Sequence, residues 1–77
     1  MKNDIETIYV QLLHEDVTTA RPAPAERVGK QTYTILLPED YDPEDEEWQF
    51  LPGDTVRCER THWNEKGAIN LAIEKII

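Results

Sequence analysis

Apolar and polar residues alternate along most of the chain. Ile8, Val10 and Leu12 share one face of a stretch from residue 5 to residue 14, with Tyr9, Gln11 and Leu13 on the other, which predicts a strand rich in β-branched and aromatic residues. The pattern returns at Tyr33, Ile35 and Leu37 and at Val56 and Cys58. It is cleanest at Ile69, Leu71 and Ile73, set against Asn70, Ala72 and Glu74. The segment from Arg21 to Val28 is less regular. Pro22 and Pro24 cannot donate to a ladder, so it is expected at an edge or a bulge. Five strands are thus predicted, over residues 5–14, 21–28, 31–37, 55–61 and 68–76, with Ile8 or Tyr9, Ile35, Val56, Leu71 and Ile73 in the core.

The connections between these strands suit an antiparallel meander. Gly29-Lys30 reads as a two-residue hairpin with glycine at the first central position, where a positive φ is needed. Asn64-Glu65-Lys66-Gly67 reads as a second hairpin loop, and Pro52-Gly53-Asp54 as a tight turn before the fourth strand. A flat sheet of five such strands would expose one apolar face and two open edges. Curling it into a barrel buries the first and largely removes the second. The expected fold is all-β, a small five-stranded SH3-like antiparallel barrel, with an OB-like barrel as the second choice. At 77 residues the chain has room for one such domain and not for two.

Charge changes this picture at one place. Sixteen acids face eight bases, for a formal net charge of -8. Seven of the acids, Glu39, Asp40, Asp42, Glu44, Asp45, Glu46 and Glu47, lie in a single run, and setting it aside leaves nine acids against eight bases. The run reads first as a helix start. Asp42 caps, Pro43 fits the first helical position, and Glu44, Asp45 and Glu46 occupy the first turn, where free N–H groups favour carboxylates. One short helical turn is predicted, fastened to the barrel by Trp48 and Phe50. Seven carboxylates exceed what capping requires, however, and like charges so close together repel.

Candidate chemistries were weighed on the same residues. Asp40, Asp42 and Glu44 have the one-three-five spacing of a calcium loop, but Asp45 stands where the turn needs glycine and Leu51 where a bidentate glutamate belongs. One cysteine and two separated histidines, His14 and His62, form no zinc spacing. Cys58 and His62 lie about 13 Å apart along a strand, too far for a thiolate–imidazolium pair, so Cys58 is expected to be a small buried hydrophobe. No cofactor, no metal and no catalytic role are expected. The single cysteine and the lack of an apolar leader or span point to a cytoplasmic protein without a membrane partner.

The chain is similar to a group of small uncharacterised bacterial proteins. The likeness is carried by Arg21-Pro22, Ala25-Glu26-Arg27, Tyr33-Thr34-Ile35, the run from Pro38 to Glu46 with Trp48 and Phe50, Pro52-Gly53-Asp54 and Val56-Arg57-Cys58-Glu59. Members often carry a large aromatic before the Arg-Pro pair, where this chain has Ala20. The resemblance implies a bacterial or phage source and a compact β domain, and implies no activity.

The residues then favour a non-catalytic acidic module, a monomer or weak homodimer, that engages a basic surface of a protein partner in an immunity, antidote, inhibitor or regulatory role. Its expected contacts are Asp40, Tyr41, Asp42, Glu44, Glu46, Glu47 and Trp48. The alternative is a small-barrel nucleic-acid-binding or accessory subunit using Arg21, Arg27 and Arg57. The acidic run opposes it, because phosphate recognition relies on clustered bases.

Overall fold

A computed structural model describes residues 4–13, 19–39, 41, 42, 44, 46–63 and 66–76. Five strands form: β1 (Ile5–Gln11), β2 (Ala20–Arg27), β3 (Thr32–Ile35), β4 (Thr55–Trp63) and β5 (Gly67–Lys75). They close in chain order into a small barrel of the SH3-like kind. The first strand stops at Gln11, short of the expected His14, which lies outside the described residues. The third is also shorter than expected, running from Thr32 to Ile35, with one further bond across to β2 from Leu36 N–H to Pro24 C=O at 2.8 Å.

Four of the five seams are antiparallel, and the seam that closes the barrel is parallel, with Tyr9 opposite Leu71. The odd strand number requires this. Each turn reverses the chain, so the first and fifth strands run the same way. Pro22 and Pro24 sit in β2 opposite Tyr9 and Thr7; Pro24 C=O accepts Leu36 N–H from the β3 side, so both proline nitrogens face away from β1, past the end of the β2–β3 pairing, and no ladder donor is lost.

Ile8, Val10, Ala23, Ala25, Ile35, Val56, Cys58 and Ala72 fill the interior together with Tyr33, Trp48 and Phe50. Ile8, Ile35 and Val56 are therefore core residues as expected, and Cys58 is a buried thiol. In the last strand Leu71 is buried as expected and Ile73 only partly so. Ala72 faces the interior, whereas Ile69 and Leu71 join Ala20 in a second cluster, with Tyr9, Trp63 and Ile73 packed against it. Ile69 and Leu71 are each 5% exposed. The large residues of β5 are thus buried on the outer side of the closing seam, and the alanine takes the narrow inner side. A register shift at Arg57/Cys58 in the β4–β5 ladder accommodates the bend.

The turns divide similarly. Leu51 to Asp54 make a β-turn, with Asp54 N–H donating to Leu51 C=O at 3.0 Å and Gly53 at φ 97°. Pro52 at the second position and a left-handed glycine at the third define its type. Gly67 takes φ 77° at the start of β5, while Asn64 and Glu65 of that hairpin lie outside the described residues. The β2–β3 hairpin corrects the two-residue expectation: strand pairing ends at Arg27 and Tyr33, Val28 N–H donates to Thr32 C=O at 2.9 Å, and Gly29 has no positive φ. A wider loop relieves the backbone of the left-handed geometry a two-residue turn would impose. Among the described residues no helix is long and apolar enough to cross a membrane.

Candidate functional site

The acidic segment joins the end of β3 to the start of β4. Among its described residues there is no helix; there are turns, one of them closed at Pro38 C=O, which accepts Tyr41 N–H at 3.3 Å. Glu46 N–H donates to Asp42 C=O at 3.1 Å, and the Asp42 carboxylate accepts the Glu44 N–H at 3.0 Å, the side-chain cap anticipated for a helix start. Asp40, Pro43 and Asp45 lie outside the described residues.

Beyond the turn the chain is laid against the end of β1. Leu13 N–H donates to Glu47 C=O at 2.7 Å, Gln49 N–H donates to Gln11 C=O at 2.9 Å, and Leu12 and Trp48 form an antiparallel bridge. This short pairing turns Trp48 and Phe50 inward. Trp48 is 5% exposed, and the Tyr41 ring meets it edge-on with centroids 5.0 Å apart. Its indole N–H donates to Glu46 Oε1 at 3.4 Å, and the other oxygen of that carboxylate is paired with Arg21 from β2. The segment is thereby held by aromatic burial from below and by the Arg21–Glu46 ion pair from the side.

The seven residues expected to make contacts thus have different positions. Asp42, Glu44 and Glu47 are exposed, Tyr41 is half-buried, Glu46 is engaged with Arg21 and Trp48, Trp48 is buried, and Asp40 is outside the described residues. Trp48 is buried and anchors the segment. Arg21 is the residue that reasoning from sequence missed as part of this site. No spacing in the sequence connects it with Glu46, because only the closed sheet brings β2 beside the segment.

The three arginines of the nucleic-acid alternative are engaged separately. Arg21 pairs with Glu46. Arg27 donates to Gly29 C=O at 3.1 Å and Lys30 C=O at 3.0 Å, with Glu6 at 4.0 Å. Arg57 reaches Glu74 at 2.9 Å and Glu59 at 3.2 Å, and these two hydrogen bonds raise its pKa. They form no shared patch among the recorded contacts, and each carries its own counter-charge or backbone acceptor.

Two groups inside the barrel have displaced acidities. Burial pushes the Cys58 thiol up to about 11. Burial also raises Tyr33, and the Glu6 carboxylate that accepts its hydroxyl proton at 3.3 Å adds to the effect. Among the described residues no three His, Cys, Asp or Glu side chains gather as a metal site, and no buried side-chain polar atom lacks a partner.

Comparison with family models, with curated proteins and with solved structures finds no match to this chain.

Proposed function

We propose that the protein is a non-catalytic acidic binding module of a bacterial or phage cytoplasm, and that its acidic segment engages a basic surface of a protein partner in an immunity, antidote, inhibitor or regulatory role. The observation that carries the reading is a division of labour within the segment. Trp48 and Glu46 are committed to holding it and Asp42 caps its turn, while the Glu44 side chain is exposed on the part so held. A run that served only as a cap would need one carboxylate at Asp42, and that need is met. The further carboxylates form a negative field that steers a basic partner and sets its encounter rate. A nucleic-acid partner is the weaker reading. Arg21, Arg27 and Arg57 already have carboxylate neighbours in the fold, and phosphate would have to compete with them.

The test is kinetic. With the partner isolated by co-purification from the source organism, replacing Glu44 and Glu47 by Gln should slow association severalfold and flatten its dependence on salt, with the fold intact by circular dichroism. An association rate and salt slope equal to the parent's would refute the reading.

A further inference from the structure

The longest ladder of the barrel is the β4–β5 hairpin, and it outruns its neighbour on one side. The pairing of β3 with β4 ends at Thr32 opposite Arg57, and Cys58 N–H makes the last bond across, to Gln31 C=O at 2.8 Å. Beyond Cys58, β4 continues to Trp63 with β5 as its only paired neighbour among the described residues. Regular alternation from Cys58 turns the N–H and C=O of Arg60 and His62 toward the unpaired side. Arg60 stands opposite Asn70 and His62 opposite Ala68, and both side chains are exposed. An edge with free main-chain groups accepts an added strand unless charge or shape prevents it.

The charge at this edge selects the occupant. Arg21, Arg27, Arg57 and Lys75 each have a carboxylate partner, whereas Arg60 has none among the described residues. His62 lies two residues on, on the same face, and exposed Lys30 sits in the adjoining β2–β3 loop. Two basic side chains at i and i+2 match carboxylates at i and i+2 of a facing strand. We infer that the free edge of β4 at Arg60–His62 binds an extended segment of a partner protein bearing acidic side chains at alternate positions, added as a sixth strand. Arg60 lies about 17 Å along β4 from Thr55, where the acidic segment rejoins the barrel. The inference therefore stands or falls independently of the proposed role of that segment.

The experiment titrates the isotope-labelled full chain with a blocked heptapeptide of alternating valine and glutamate, followed by amide resonances and amide hydrogen exchange. Saturable shifts at Arg60, His62 and Gln31, with slower exchange of the Arg60 and His62 amides, are expected. Binding should be lost when lysine replaces glutamate or when the glutamate nitrogens are methylated, because in antiparallel register the peptide residues opposite Arg60 and His62 turn their N–H groups toward β4, and should weaken about tenfold in Arg60→Gln. The peptide changes keep the test valid even where the protein variant folds poorly. Three outcomes overturn the proposal: no saturable shift, meaning that Arg60 and His62 only protect the edge; binding indifferent to N-methylation, meaning charge contact without strand addition; or concentration-dependent shifts at the same amides without peptide, meaning that a second copy takes the edge.

Discussion

Replacing Trp48 by Ala should cost the protein about 4 kcal/mol, within the range for removing a buried aromatic side chain. The ring is 5% exposed, packs among the residues that fill the barrel and meets Tyr41 edge-on, an arrangement that adds roughly 0.5 to 1.5 kcal/mol beyond its buried area. A domain of this length has a total stability on the order of 4 to 12 kcal/mol, so the substitution removes a third of it or more. With a urea slope of about 1 kcal/mol/M, the unfolding midpoint should fall by about 4 M. Trp63 remains as the fluorescent reporter, and far-ultraviolet circular dichroism supplies an independent reading of the same transition. Trp48→Phe keeps an aromatic ring in place and gives up the indole N–H to Glu46, and should cost only about 1 to 2 kcal/mol. If Trp48→Ala unfolds within 1 kcal/mol of the parent at an unchanged slope, the ring does not fasten the acidic segment to the barrel and the argument built on that fastening fails.

Stability should decline as pH rises from about 9 toward 11, because the unfolded thiol of Cys58 ionises near 9.0 while the folded one holds its proton to about 11; Cys58→Ala should flatten that part of a melting-temperature profile. Tyr33, also raised, contributes in the same sense from its ordinary value of 10.0 upward and would remain in the variant. Gly53→Ala should destabilise by about 1 to 2 kcal/mol in chemical denaturation, since an added Cβ meets nothing within 4 Å and the whole cost comes from φ 97°.

Much of the barrel was legible because alternation and turn chemistry agree. Ile8, Ile35 and Val56 each stand in a stretch with one apolar face, and Pro52-Gly53 announces a turn by backbone preference alone. Strand β5 and the burial of Leu71 were legible, but which side of the sheet its large residues take was not, for a physical reason. A period of two tells which residues share a face and not which face is inside, and on a strand that is covered on both sides the larger side chains need not point inward. Ala72 fits the crowded interior, and Ile69 and Leu71 find cover from Tyr9 and Trp63. The β2–β3 loop was misjudged because glycine permits a positive φ without requiring one. In the acidic segment, the Asp42 cap was readable from local sequence, but the inward turn of Trp48 depends on Leu12 and the tie to Glu46 on Arg21. Those contacts exist only after the sheet has closed.

The parallel seam has a consequence for how the molecule comes into being. Every antiparallel neighbour is joined through a connection along the chain, whereas Tyr9 and Leu71 meet with nearly the entire polypeptide between them. Their encounter carries the largest chain-closure entropy in the structure and is made after the nearer pairings have shortened the path. During synthesis β1 emerges before the other four strands and waits for β5, its edge uncovered. The apolar outer cluster of Tyr9, Leu71 and Ile69 is therefore the latch of the barrel, assembled when the first and fifth strands arrive together.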